Sequence, residues 1–476
     1  MEEYEPKNVF KIFSEICGIP HGSGNTEKLR KWCADFAENR GLEYDCDKGG
    51  NILIRKPASV GFENSEPVII QGHLDMVCEK NADCSIDMEK DGISLKSDGK
   101  YIFADGTTLG GDDGIAVAFA LAILDDNTLQ HPPLEILLTA DEETGMLGAN
   151  SFDCSKLRGK RLINIDSEEE GILTAGCAGG IRCDCEFPLE FEEISNGFTC
   201  LKVTLSGLLG GHSGVDISAH RANAIVLLSR ALERISHAAE MRICSINGGN
   251  KDNVIPNSAE AVIAVSDSEL AENAVNQFKT EVCRELYNEK VDFSVEECYA
   301  VHSAINEENG KKLLFALIHS PNGIIEMNPN VSDAVMISLN LGSVKTVENS
   351  LKLLYLLRSN TIIGRRSIEE KLSSFMKFLG AKVNFSAPYP PWEYKNDSKL
   401  RRIMSDIYSD MFGEKPIVQT IHAGLECAVF DCKIKAADMI SFGPDIENVH
   451  TPNERMKIAS VQRCWRYLLK VLENLR

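Results

Sequence analysis

The N-terminal part of the chain alternates between helical and strand-like hydrophobic patterns. Apolar residues recur at helical spacing in segments 7–19 and 26–40. Short apolar runs predict four strands, at 51–55, 67–71, 134–139 and 161–165. Segment 114–124, GIAVAFALAIL, is apolar on nearly every side, which predicts a helix buried against a sheet. Strands alternating with helices predict an α/β fold whose mostly parallel sheet is covered on both faces.

The pattern changes at about residue 187. Segment 200–206 alternates polar and apolar residues, as a half-exposed antiparallel strand does, and a helical pattern follows at 219–238. Two such rounds of strands and covering helices predict two repeated α+β units. After Tyr389-Pro390-Pro391-Trp392 the α/β pattern returns. We therefore expect a discontinuous α/β domain, 1–186 and 390–476, with an inserted lid domain at 187–389.

Composition and charge exclude several classes of protein. The chain has 476 residues and a formal charge of -21, which would repel nucleic-acid phosphates. It contains no run of about 20 apolar residues and no basic leader followed by an apolar stretch. We therefore predict no nucleic-acid or membrane partner and a cytoplasmic location. The 16 cysteines include no C-x-x-C pair and are expected to be free thiols.

Five fragments carry acidic residues and histidines, and most of them directly follow strand-like runs. They are VIIQGHLDM (His73, Asp75), TTLGGDDG (Asp112, Asp113), LLTADEETG (Asp141, Glu142, Glu143), LINIDSEEEG (Asp166) and DIENVHTPNE (His450). Functional residues of α/β sheets gather at the carboxyl ends of the strands. We therefore expect these side chains to meet in one cleft.

Such a cleft would hold an excess of negative charge. Carboxylates brought close together raise each other's pKa and cost several kcal/mol unless a counter-charge is present. The five fragments contain no matching Lys or Arg, so the counter-charge would be metal ions. Mixed imidazole and carboxylate donors suit zinc, with cobalt or manganese as alternatives. Taken singly, each fragment also fits a hydrogen-bonded pair, a solvated surface or a helix cap.

The fragments together resemble the co-catalytic dizinc aminopeptidase, carboxypeptidase and aminoacylase family and, within it, the cytosolic Xaa-His dipeptidase branch. The resemblance covers the whole chain, including the lid. The matching motifs are GHLDM, DGTTLGGDDGIAVA, TADEETGMLGA, NIDSEEEG, GLLGGHSG, GGNKDNVIP, IHAGLEC and the terminal His450. It implies that Asp112 bridges two metal ions, completed by His73 and Asp166 for one ion and by Glu143 and His450 for the other.

The resemblance also implies roles for residues that bind no metal. Glu142 would be the general base that moves a proton from water to the leaving amine. Asp75 would hydrogen-bond His73 and fix its tautomer. His212, on the lid, would donate to the developing oxyanion. A cis peptide bond is expected after the bridging Asp112.

Four further residues are candidates for substrate binding. Asn253 in GGNKDNVIP and Arg358 in LLRSN would hold the substrate's terminal carboxylate, for which the arginine fork is suited. A surface ion pair is the alternative for Arg358. His422 and Glu426 in IHAGLEC would lie near the active site, although a capped helix start explains that motif equally well.

The leading hypothesis is a metal-dependent dipeptidase that hydrolyses Xaa-His and related dipeptides. A tripeptidase or an N-acyl-amino-acid amidohydrolase with the same dizinc centre is the enzymatic alternative. The non-enzymatic alternatives are an inactive scaffold or binding protein of the same fold, and a thiol-based redox protein. A homodimer through the lid stays open, because a doubled lid could complete the site within one chain.

Overall fold

The computed structural model describes residues 3–194, 196–286, 288–299, 301–329, 331 and 334–476. The chain forms two compact units. The first comprises Met1–Cys177, Tyr394–Thr420 and Leu425–Arg476, and the second comprises Ala178–Glu393 and Ile421–Gly424. The expected boundaries after residues 186 and 389 therefore fall inside the second unit. The reason is the strand Gly179–Pro188, which was not predicted and which pairs with two strands of that unit.

Each of the four helical segments predicted above, 7–19, 26–40, 114–124 and 219–238, overlaps a helix of the structure. The helices are Lys7–Cys17, Glu27–Glu38, Gly111–Asp125, Leu147–Ser151, Ala224–Ala238, Ser268–Glu285, Glu307–His319, Ile362–Phe378, Lys399–Phe412, Glu426–Lys433 and Ile458–Asn474. None of the helices in the described ranges is long and apolar enough to cross a membrane. None of the 16 cysteines, which all lie in the described part of the chain, forms a disulfide bond.

The first unit is built on an eight-stranded mixed sheet. Its strands lie in the order Glu43–Cys46, Ile52–Lys56, Leu134–Thr139, Val68–His73, Arg161–Asn164, Asp438–Ser441, Ile172–Cys177 and Ile417–Ile421. The four strands from Leu134–Thr139 to Asp438–Ser441 are parallel. The α/β class is thus confirmed, but the parallel part is only the centre. The outer hairpin is antiparallel because the turn 47–51 is too short for a parallel crossover.

Helix Gly111–Asp125 is the buried helix that the sequence predicts. Every residue from Gly114 to Leu124 is buried, in contact with helix Lys7–Cys17 and strand Val68–His73. At its carboxyl end Lys56 Nζ donates to the carbonyl oxygens of Ile123 and Asp126, each at 2.8 Å. Asp112 and Asp113 lie at its amino end, where their φ and ψ angles are not helical.

A small four-stranded sheet supports the loop that carries His450. Its strands lie in the order Ile446–Glu447, Arg455–Lys457, Tyr101–Ala104 and Leu95–Ser97. The first two pair antiparallel and enclose residues 448–454. The loop is therefore anchored at both ends to a sheet of the first unit.

The second unit contains a nine-stranded antiparallel sheet. Eight strands lie in the order Asp292–Glu297, Thr199–Ser206, Ala259–Val265, Met241–Gly248, Val335–Val347, Ser350–Ser359, Gly179–Pro188 and Lys382–Tyr389, and Gly323–Met327 pairs beside Val335–Val347. Two-stranded ladders join Phe191–Glu193 to Ser303–Ile305, and Gly211–His212 to Val254–Ile255.

The sheet of the second unit consists of two equivalent halves. In each half two helices and four strands follow one pattern, and the halves meet where Asn247 pairs with Lys345 and Gly248 with Val344. The repeat differs from the expected one in its connectivity. The first strand of the second half, Gly179–Pro188, precedes the whole of the first half in the sequence.

Candidate active site

His73 ends the central parallel strand and turns a lone pair toward carboxylates. Its Nδ1 lies 2.9 Å from the carbonyl oxygen of Asp75, which can only accept, so Nδ1 carries the proton. The Nε2 lone pair therefore faces Asp112 Oδ1 at 3.0 Å and Asp166 Oδ1 at 3.6 Å. These oxygens are also acceptors. The arrangement is favourable when a proton or a metal ion lies among the three atoms. Burial opposes protonation, but the hydrogen bonds to Asp112, Asp166 and Asp75 raise the pKa of His73.

His450 repeats this arrangement on the other side of Asp112. Its Nε2 lies 2.8 Å from Glu143 Oε1 and 3.1 Å from Asp112 Oδ2. The two oxygens of Asp112 thus face two different imidazoles, 3.0 and 3.1 Å away. Asp112 lies where a carboxylate bridging two cations would lie. The peptide bond that follows it is cis, as expected.

The donor set fits divalent metal ions. Atoms within 4.8 Å of one another form three groups: His73, Asp113 and Asp166; His73, Glu142 and Glu143; and Asp112, Glu143 and His450. Tetrahedral coordination with metal–ligand bonds of about 2.0 Å separates ligand atoms by about 3.3 Å, close to the contacts at both imidazoles. The third group contains the three residues that the family resemblance implies as ligands of one of the two ions.

Asp113 was not among the predicted ligands, and the structure places it in the group with His73 and Asp166. Its Oδ2 accepts the backbone N–H of His73 at 3.0 Å, and Asp113 is 1% exposed. A residue that already accepts a backbone hydrogen bond stiffens the end of the strand. We therefore interpret Asp113 as support for His73, with Asp112 as the closer neighbour of the imidazole.

The pKa values show how strongly this cluster attracts positive charge. Burial raises the pKa of Asp166 to about 6. Hydrogen bonds to Asp112 and Glu143 raise the pKa of His450 to about 11. Burial, together with the charges of Asp166, Glu426 and Glu143, raises the pKa of Glu142 well above its ordinary value. Protons and metal ions are attracted by the same excess of negative charge.

Asp75 holds the Glu142-Glu143 turn more directly than it holds the imidazole of His73. It is fully buried, and its carboxylate accepts the backbone N–H groups of Glu142 at 2.9 Å and Glu143 at 3.2 Å and the hydroxyl of Ser23 at 2.8 Å. Its Oδ1 is 3.5 Å from His73 Nδ1, which is farther than its own carbonyl oxygen. Burial opposes ionisation, but the hydrogen bonds from His73, Glu142 and Ser23 lower the pKa of Asp75.

The motif IHAGLEC is divided between the two units. Glu426 belongs to the first unit, is fully buried, and accepts from Gln71 Nε2 at 2.5 Å and Thr139 Oγ1 at 2.6 Å. The predicted contact of Glu426 with substrate stays a prediction. His422 belongs to the second unit, where Asn360 and Ser338 hydrogen-bond its two ring nitrogens. Burial and the charge of Arg358 lower the pKa of His422 to about 3, so it is neutral.

Two hydrogen-bond donors face each other in the second unit. His212 Nδ1 accepts the backbone N–H groups of Gly214 at 3.3 Å and Val215 at 3.1 Å, so the ring proton is on Nε2. This nitrogen lies 3.4 Å from Arg358 Nη2, which is also a donor. Arg358 is 4% exposed, and no Asp or Glu of the described ranges forms an ion pair with it. An anionic oxygen is an acceptor that suits both groups.

Asn253 contributes through its backbone. Its carbonyl oxygen accepts the N–H of Ser213, next to His212, at 2.8 Å, and its own N–H donates to Asp252 at 2.9 Å. These bonds continue the ladder between Gly211–His212 and Val254–Ile255. The predicted contact between the Asn253 side chain and the substrate stays a prediction.

One residue of the site was not recognised from the sequence. Glu454 accepts backbone N–H groups at the start of the helix that carries Asp112, including those of Leu109 and Gly111 at 2.8 Å each. It lies in the fragment DIENVHTPNE, four residues after His450. An acidic residue close to a ligand histidine was the available signal, but nothing in the sequence shows which backbone it contacts.

A mixed α/β unit whose strand ends gather two imidazoles and several carboxylates defines the scaffold of a two-metal hydrolase. Residues 69–474 match the family described as peptidase family M20/M25/M40, and the chain belongs to that family. The resemblance inferred from the motifs is thus confirmed.

Some relatives match this chain over its whole length. The chain is 38% identical over 482 residues to the cytosol non-specific dipeptidase of Escherichia coli strain K12, covering 100% of this chain and 99% of the relative. The crystal structure of aminoacylhistidine dipeptidase from Vibrio alginolyticus superposes with a TM-score of 0.90 at 37% identity, over 100% and 98% of the two chains. A tripeptidase from Staphylococcus aureus, 14% identical with a TM-score of 0.57 over 99% of each chain, shares the fold. The expectation of a peptidase similar to dipeptidases is confirmed.

The position of Asp112 between the imidazoles of His73 and His450 leads to a prediction about metal content. Asp112→Asn removes the charge and one of the two acceptor oxygens that face the imidazoles. We expect the wild-type chain to bind two divalent ions and the variant to bind at most one, measured by elemental mass spectrometry after dialysis against zinc, cobalt or manganese. Asp105→Asn, at an exposed carboxylate paired with Lys96, is the control. Two ions retained in Asp112→Asn would contradict the assignment.

Proposed function

We propose that this chain is a metal-dependent dipeptidase that cleaves Xaa-His and related dipeptides. The observation that carries the proposal is Asp112 lying between the imidazoles of His73 and His450, with Glu142 in the adjoining group. The names of both full-length relatives support dipeptides as substrates.

The metal centre would contain two divalent ions, for which we propose zinc, with cobalt or manganese as alternatives. His73 and Asp166 would bind one ion, Glu143 and His450 the other, and Asp112 both. When bound, such ions lower the pKa of a water molecule and polarise the scissile carbonyl. Imidazole and carboxylate ligands are the donors that these metals share.

Glu142 is the proposed general base. It is adjacent to the ligand Glu143, and Asp75 fixes the backbone N–H groups of both residues. The Glu142 carboxylate would accept a proton from the attacking water and pass it to the nitrogen of the leaving amine. A base held by a buried carboxylate keeps its position while the proton moves.

The two donors of the second unit would serve the negative groups of the substrate. Arg358 would bind the C-terminal carboxylate, since its buried guanidinium has no acidic partner in the described ranges. His212 would donate from Nε2 to the developing oxyanion, because Nδ1 is occupied by two backbone N–H groups. We also propose a cytoplasmic location, which the free thiols and the name of the Escherichia coli relative support.

A substrate panel tests the proposed activity. We expect the metal-loaded enzyme to hydrolyse β-Ala-His, Gly-His and Ala-Ala with higher kcat/KM than a tripeptide or N-acetyl amino acids, measured by release of free amino acids. Higher turnover of the N-acetyl compounds would instead indicate an amidohydrolase. Preference for the tripeptide would indicate a tripeptidase, and no turnover would indicate a scaffold.

Replacing the proposed base should lower the rate of hydrolysis without changing the metal content. We expect Glu142→Gln to lower kcat by about 10²- to 10⁴-fold, the range of general-base catalysis, with the metal content unchanged. Glu169→Gln, at an exposed glutamate of the fragment LINIDSEEEG, should retain full activity. Normal kcat in Glu142→Gln would show that another group accepts the proton.

Replacing Arg358 should weaken the binding of substrates that have a free C-terminal carboxylate. A hydrogen bond to a charged group contributes about 1.5–3 kcal/mol, so Arg358→Met should raise KM for dipeptides by about 10- to 100-fold. Dipeptide amides, which lack the carboxylate, should be hydrolysed equally by the variant and the wild type. Arg182→Met is the control, because Arg182 already pairs with Asp252. An equal defect on both kinds of substrate would contradict carboxylate binding.

A further inference from the structure

We propose that Glu454 is a positioning residue that ties the turn carrying Asp112 to the loop carrying His450. The proposal rests on the metal centre described above and goes beyond its ligands. Asp112 and His450 lie far apart in the sequence, yet each must face the same ion. A single buried carboxylate connects the two segments.

Glu454 binds the start of the helix that carries Asp112. Its Oε2 accepts the N–H groups of Leu109 at 2.8 Å and Gly110 at 3.2 Å. Its Oε1 accepts those of Gly111 at 2.8 Å and Asp112 at 3.4 Å. These N–H groups precede the regular part of the helix, because Asp112 and Asp113 have non-helical φ and ψ angles. Buried backbone N–H groups outside regular structure need another acceptor. The carboxylate therefore satisfies four backbone donors together and holds the backbone of Asp112.

The other end of the connection is the His450 loop. Asn448 and His450 have positive φ angles of 56° and 60°, a conformation that costs free energy for residues other than glycine. Thr451 Oγ1 donates to the carbonyl oxygen of Asn448 at 2.7 Å. The N–H of Glu454 donates to the carbonyl oxygen of Thr451 at 3.0 Å. Glu454 is thus the point at which this loop is joined to the helix start.

The side chain is suited to this position in charge and in shape. Glu454 is 3% exposed, so its hydrogen bonds do not compete with bulk water. A glutamine would keep one acceptor oxygen and place an NH₂ group opposite two backbone N–H donors. Either orientation of the amide would therefore separate two N–H groups from their acceptor and displace the turn at Asp112.

Glu135 provides a matched control for a purely structural role. It is 2% exposed and accepts the backbone N–H groups of Arg158 at 3.0 Å and Gly159 at 2.9 Å. It lies near the start of strand Leu134–Thr139, whose other end leads to Glu142 and Glu143. Glu135→Gln removes a buried carboxylate of the same kind at the end of the strand away from the site.

Calorimetric titration of the metal-free proteins with Zn²⁺ distinguishes a residue that positions a metal ligand from one that only stabilises the fold. Loss of a residue that orients a ligand weakens metal binding by about 10- to 100-fold. We expect that increase in Kd for Glu454→Gln and a wild-type Kd for Glu135→Gln, although both variants should unfold at lower temperature. Wild-type affinity in Glu454→Gln, or equal weakening in Glu135→Gln, would overturn the proposal.

Hydrogen exchange of the wild-type protein gives a second test if Glu454→Gln does not fold. The amides of Leu109 and Gly111 should exchange slowly in the folded, metal-free protein, because Glu454 holds them in the absence of any ion. Exchange as fast as in an unstructured peptide would refute the proposal. Both readouts are independent of peptide hydrolysis. A chain that binds two ions but cleaves no dipeptide would refute the proposed function and leave this inference standing.

Discussion

The structure depends on two imidazoles whose Nε2 atoms face carboxylate oxygens. Such groups repel one another unless a proton or a metal ion lies among them, and burial prevents water from weakening the repulsion. His73 has no other orientation available, because the carbonyl oxygen of Asp75 fixes the proton on Nδ1. The first unit therefore assembles a site whose favourable state contains bound positive charge.

The framework beneath the site resists this repulsion. Gln71 and Asn164 lie side by side on neighbouring parallel strands, each two residues before a predicted ligand, and their amides are joined by a 2.7 Å hydrogen bond. Gln71 also donates to Glu426, which accepts from Thr139 on the next strand. A hydrogen-bonded polar layer thus connects three strands just below the ligands. Connected buried networks of this kind stiffen a core and define its geometry.

Much of the site could be predicted because its residues follow apolar strands. His73, Asp112, Glu143 and Asp166 are all placed by elements with strong periodicity, and parallel strands bring their ends together. The contacts of Asp75 and Glu454 could not be predicted, since both bind backbone N–H groups whose partners depend on tertiary structure. Strand Gly179–Pro188 was missed for a related reason. It completes a repeat whose remaining strands come more than a hundred residues later.

The two units gather opposite kinds of chemical group. The first unit collects carboxylates and would hold cations, whereas the donor pair of the second unit, Arg358 and His212, faces no carboxylate in the described ranges. The proposed dipeptide substrate contains a group suited to each, a scissile carbonyl and a free carboxylate. His422 strengthens the argument. Its neutral ring, hydrogen-bonded on both sides, leaves Arg358 as the charged group available for the anion.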